Sequence, residues 1–166
     1  MITLLTPRHA SSSRRKIVTL LAQAHTDIAE LRGYAHHLRH HPDSGATSRF
    51  SPRQLDSLIT ALRQGHNLLV QRLRELRPAP DLTASGMEVP AEESIARTSA
   101  FLIVTYKRCG RRLGLALHEA REGRDLASGE ILYQLLRDFE KQLWLMNIPS
   151  KRPILGFSAI PLFQAP

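Results

Sequence analysis

The sequence predicts an all-α protein, a four-helix bundle. Three observations carry this. Apolar residues recur at steps of three and four in four separate stretches, the spacing that gathers side chains on one helix face. Proline and glycine clusters separate the stretches. No run of alternating apolar and polar residues marks a strand. Four amphipathic helices of this kind bury their stripes against one another.

The first stripe runs Ile17, Leu20, Leu21, Ala24, Ile28, Leu31, Ala35, Leu38 and stops in "HHPDSG", where Pro42 and Gly45 break a helix. The second opens at "FSPRQLDSL": Ser51 is a good N-cap, and Pro52 suits the first helical turn because its missing N–H has no partner there. Leu55, Leu58, Ile59, Leu62, Leu69, Leu73 and Leu76 follow, and "RPAPD" ends the stripe. Residues 78–90 form a linker rich in Pro, Ser and Gly. The third stripe begins at Pro90 and runs Ile95, Leu102, Ile103, Tyr106, Leu113, Leu117, Ala120. Gly110 and Gly114 inside it each cost about 1 kcal/mol against alanine, so they read as a close packing contact. After "EGRD" comes the fourth stripe, Leu126, Ile131, Leu135, Phe139, Leu143, Met146, which Pro149 ends. The short links make helices one and two, and three and four, antiparallel pairs. The 13 residues of the middle link cross the bundle only if extended.

The chain divides accordingly into a basic flexible tail (1–16), a helical domain (17–147) and an apolar, proline-rich extension (148–166) that has no helical period and reads as lying along a surface or partner. At 42% hydrophobic residues the composition is that of a folded domain, not a disordered one. The single cysteine, Cys109, excludes an internal disulfide. No apolar run approaches the roughly 20 residues of a membrane span, and the N-terminus makes a poor signal peptide, so the expected setting is cytoplasmic with no membrane partner.

The formal net charge of +8 favours polyanionic partners, nucleic acid or an anionic membrane surface. Arg8, Arg14, Arg15 and Lys16 supply four of those charges with no acid before Lys16. They read either as a solvated tail or as an arm that neutralises phosphates by counterion release. The histidine run "HHLRHH" places His36 with His40 and His37 with His41 at i, i+4, so each pair shares a helix face. Paired imidazoles suit zinc, copper or nickel. The same residues also read as a polar helix end that complements the C-terminal dipole. His25, His66 and His118 read as lone side chains, structural or exposed.

The stretch "LYQLLRDFEKQLWLMN" resembles the last helix of Dps-type miniferritins, in which a Leu-Trp pair closes the final turns. "GYAHHLRHH", "RQGHNLLVQRLRELRP" and the third stripe are similar to the family's other helices in order and spacing, over about residues 17–147. This resemblance implies a ferritin-like four-helix bundle assembled as a hollow homo-oligomer, commonly a dodecamer. Such shells oxidise and store iron, bind DNA through basic tails and accompany the nucleoid. It implies a subunit contact at Trp144 and metal ligands at His36 and Asp56. Three further ligand positions depart from the family pattern, with Pro52, Asn67 and Gln71 in place of a histidine and two carboxylates. Amides in place of carboxylates remove the charge that holds ferrous iron, so the expected oxidation site is degraded. The resulting expectation is an oligomeric, DNA-binding, iron-sequestering protein with weak or lost ferroxidase activity. The alternative is a non-enzymatic helical bundle that scaffolds a nucleic acid or protein partner.

Overall fold

A computed structural model of the chain describes residues 7–41, 49–76 and 94–146. These residues form four α-helices and no strand: α1 (Pro7–His40), α2 (Pro52–Leu76), α3 (Ile95–Glu122) and α4 (Leu126–Leu145). The loop break at Pro42 and Gly45, the whole middle link 78–90 and the extension 148–166 lie outside the described residues.

The starts of α2, α3 and α4 each have a local cause. At α2, Ser51 Oγ accepts the Gln54 N–H at 3.3 Å while Gln54 Oε1 accepts the Ser51 N–H at 2.8 Å, a reciprocal capping box closed over Pro52. α3 starts at Ile95, five residues after the Pro90 that the stripe suggested, because Ser94 caps it by accepting the Arg97 N–H at 3.3 Å. Between α3 and α4 only Gly123–Asp125 intervene, with Arg124 at φ 54°. Asp125 then caps α4 by accepting the Ser128 N–H at 3.0 Å.

The first helix extends into the segment read as a tail. α1 begins at Pro7, ten residues ahead of Ile17, so residues 7–16 are helical. Alanine and three serines there do not break a helix, and contacts with other helices reward its extension. Arg14 donates to the Leu76 carbonyl at 3.0 Å, and Lys16 donates to Glu119 at 3.3 Å.

The helices form a ring in which α1 packs on α2 and α3, and α4 packs on the same two. Residue pairings give the directions. Lys16 meets Glu119 and Tyr34 stacks on Phe101, so α1 and α3 are antiparallel. Gln54 meets Leu145 and Arg72 meets Asp125, so α2 and α4 are antiparallel. Arg39 of the last turn of α1 pairs with Asp56 in the first turns of α2, and Tyr106 packs on Phe139, which completes an up-down-down-up order. α2 ends beside the start of α1 and α3 starts beside its end, so residues 77–93 join opposite ends of the bundle. That distance is roughly 37 Å for a helix as long as α2, and 17 residues reach at most about 60 Å.

The core is almost wholly aliphatic, from Leu21, Ile28 and Leu31 of α1 to Leu136 and Leu143 of α4. Tyr106 is its largest polar-tipped member, and its hydroxyl donates to the Phe139 carbonyl at 3.0 Å. Gly110 is buried and Gly114 half-buried. One carboxylate interrupts this apolar interior. Asp27 of α1 is 1% exposed and faces two arginines one turn apart on α3. Arg108 donates to Oδ1 at 2.8 Å and Arg112 to Oδ2 at 2.6 Å. Arg108 also reaches Glu30 at 2.6 Å.

Removing both arginines leaves a buried carboxylate uncompensated. Arg108→Ala/Arg112→Ala is expected to lower the unfolding free energy by about 3 to 5 kcal/mol. Urea denaturation measures it, and a change of under about 1 kcal/mol would show that water or another side chain replaces the pair.

Candidate functional sites

The basic residues of the first helix stand at one end of the bundle. The start of α1, the ends of α2 and α3 and the start of α4 meet there. Arg14, Arg15 and Lys16 are exposed on the opening turns of α1, while the side chain of Arg8 lies outside the described residues. Exposed Arg74, Arg121 and Arg124 stand at the same end, where the C-terminal dipoles of α2 and α3 favour cations. Arg72 organises the end. It donates to Ser128 Oγ at 2.9 Å, to Glu75 at 2.7 Å and to Asp125 at 2.8 Å. Burial works against its charge, but the hydrogen bonds and ion pairs with Glu75 and Asp125 outweigh it and raise its pKa. Asp125 is likewise opposed by burial, yet the bonds from Ser128 and Arg72 hold its carboxyl below the ordinary range.

The opposite end of α1 carries the histidine run. The i, i+4 pairs form as their spacing required. The His36 and His40 rings lie 6.2 Å apart and 7° from parallel, and those of His37 and His41 lie 5.3 Å apart at 59°. The helix carries this spacing to its last turn, where the His41 N–H donates to the His37 carbonyl at 2.9 Å. Burial, followed by the charges of Arg32 and His40, lowers the pKa of His36. Asp56 is turned to Arg39, whose Nε donates to Oδ1 at 2.9 Å. Among the described residues, no three His, Cys, Asp or Glu side chains come together around one point that could hold a metal ion. Each histidine pair is therefore a two-imidazole face within those residues.

Two histidines read as lone are in fact a pair. His25 of α1 and His66 of α2 place their rings 4.7 Å apart at 34°. His25 is 3% exposed. Its Nε2, His66 Nδ1 and Arg32 Nε are buried with no hydrogen-bond partner. Burial and then the neighbouring His66 lower the pKa of His25, and burial and then Arg32 lower that of His66. The sequence signal was available, since His25 follows Ala24 inside the first apolar stripe. Its partner lies on another stripe and could not be read from spacing.

Two surfaces remain. Between α2 and α4 lies a half-open cleft of about 390 Å³ whose apolar wall includes Leu62, Leu135 and Phe139, with Asp138 among the polar side chains lining it. On the solvent side of α4, Leu126 and Trp144 are 84% and 80% exposed, and Tyr133 is exposed with them. Their spacing of seven and eleven residues places all three on one face. α3 exposes Phe101, Val104 and Leu115. No described helix is long and apolar enough to cross a membrane.

No family model, curated protein or solved structure matches this chain.

The His25–His66 pair sets a pH dependence. Both rings hold a proton less readily in the folded chain than at the ordinary value of 6.5. The unfolded chain thus binds more protons as the pH falls through 6.5, and stability falls with it until the folded values are passed. The denaturation midpoint is expected to be lower at pH 5.5 than at pH 7.5, and His25→Leu/His66→Leu to reduce that difference, with His36 left as a further contributor. An unchanged slope in the double variant would exclude the pair as its source.

Proposed function

We propose that the chain is a self-associating, DNA-binding subunit of the Dps-type miniferritin kind, with a weak or lost iron-oxidising site. The observation that carries this reading is the exposed α4 face of Leu126, Tyr133 and Trp144. Large apolar side chains aligned on the solvent side of a core helix mark an association surface, and an indole supplies more buried area than any other side chain there. The helix order supports it, because one long crossover between two antiparallel pairs is the connectivity of ferritin-like bundles. The cations at the start of α1, beside Arg74, Arg121 and Arg124, form the surface for DNA phosphates.

Iron enters this reading as cargo. His36 and Asp56 occupy two of the implied ligand positions, while Asn67 and Gln71 present exposed amides on α2. Gln71 donates to Glu75 at 3.4 Å. A ligand set short of carboxylates holds ferrous iron weakly, so the DNA role outweighs the oxidative one.

Light scattering on a sizing column is expected to give several times the 18.7 kDa chain mass at micromolar concentration. Trp144→Asp should return the species toward the monomer, and the emission of the only tryptophan should shift to shorter wavelength on association. A wild-type monomer with red-shifted emission at tens of micromolar would overturn the shell. The bundle then falls to the second reading, a scaffold whose α3 and α4 faces bind a protein partner, which the separate exposure of Phe101, Val104 and Leu115 favours.

Arg14→Ala/Arg15→Ala/Lys16→Ala should weaken DNA binding on all sequences alike. The slope of log affinity against log salt should shrink by roughly 2 to 3, as expected for three lost phosphate contacts. An unchanged gel shift and slope would remove these cations from the DNA surface.

A further inference from the structure

We propose that the α2–α4 cleft is the docking site for this chain's own C-terminal segment, residues 147–166, anchored by Lys151 or Arg152 on the Asp138 carboxylate. The proposal stands apart from DNA binding and self-association and needs neither.

Four observations converge on it. The first is the cleft's chemistry. Its wall is apolar at Leu62, Leu135 and Phe139, and among the described residues Asp138 is the one charged side chain lining it. No ion pair among the described residues engages Asp138. A half-buried carboxylate over an apolar floor, in a chain with a formal net charge of +8, calls for a cation attached to apolar groups.

The second is composition. Residues 151–163 read KRPILGFSAIPLF, two cations followed by Ile154, Leu155 and Phe157 and no acid. The order of charge and apolar groups in the segment therefore matches the order in the cleft, from Asp138 inward.

The third is the exit point. Gln54 Nε2 donates to the Leu145 carbonyl at 2.6 Å, which pins the last turn of α4 against the first turn of α2. The chain leaves at Met146 beside the near end of the cleft, where Leu58 and Phe139 line it.

The fourth is reach. Asp138 lies eight residues before Met146, roughly 12 Å back along the helix. Lys151 follows Met146 by five residues, which extend to about 17 Å. The cleft runs from Leu58 to Leu68 on α2, roughly 15 Å, a length that about five extended residues cover. Residues 152–157 suffice.

Docking would close the least tightly packed seam of the bundle and cover apolar surface now open to water. Any other apolar or cationic ligand of the cleft would have to displace the segment.

Disulfide trapping in the full chain tests this. Ala61→Cys lines the cleft, and Ala100→Cys is exposed on α3 near the same end of the bundle. Each is paired with Leu155→Cys, while native Cys109 is fully buried. The 61–155 bond is expected to form within one chain at least tenfold faster than the 100–155 bond. Adding Asp138→Lys should slow it at least tenfold, and Lys151→Glu/Arg152→Glu on top should restore it. Lys151→Glu/Arg152→Glu with Asp138 intact gives the same loss should Asp138→Lys reduce the helix content. Equal rates at positions 61 and 100, no effect of either charge reversal, or bonds formed only between chains would overturn the proposal.

Discussion

Asp27 fixes how the two longest helices meet. Its carboxylate is buried on the α1–α3 seam, with one oxygen taken by Arg108 and the other by Arg112. The arginines extend the hold, Arg108 to Glu30 and Arg112 to the Gln23 carbonyl. A seam of leucines and alanines would tolerate sliding by one turn, about 5.4 Å. The same slide here strands a buried charge, which is worth several kcal/mol. The register of α1 on α3 is therefore specified by charge, and the two hairpins place α2 and α4 relative to it.

The second antiparallel pair, α2 and α4, is held differently. At one end Arg72 clasps Asp125, the residue that also caps α4 and binds Ser128. At the other, Gln54 holds the Leu145 carbonyl. Between these clamps the facing α2 positions that line the cleft include Ala61 and Gly65, both small. An added Cβ at Gly65 would stand 3.2 Å from Leu135, so the helices approach closely there while the space beside them stays open. Polar contacts at the ends and small residues in the middle account for a cleft in an otherwise close-packed bundle.

Much of this was legible in the residues. The four stripes supply most of the core, and Ser51 with Pro52 marked the start of α2 to the residue. The boundaries failed where capping outweighed periodicity. Ser94, not Pro90, opens α3, and the serine-rich segment before Ile17 is helical because Arg14 and Lys16 find partners on α2 and α3. The sites were less legible. The paired histidines at 36, 37, 40 and 41 depend on one helix and followed from spacing alone. Asp27 and His25 sit within the first stripe, where a reader places polar side chains outward. Their burial makes sense only once Arg108, Arg112 and His66 from distant stripes are brought opposite them.

The lone cysteine acquires a use from its surroundings. Cys109 is fully buried, its sulfur 3.8 Å from the Ala24 carbonyl on the seam that Asp27 locks. Burial, and after it the charge of Asp27, pushes the thiol's pKa well up. A closed bundle therefore presents no thiolate and no path to one. Alkylation must wait for α1 and α3 to part, which makes the chain its own stopwatch: the pace at which reagent is consumed counts how often that seam comes undone.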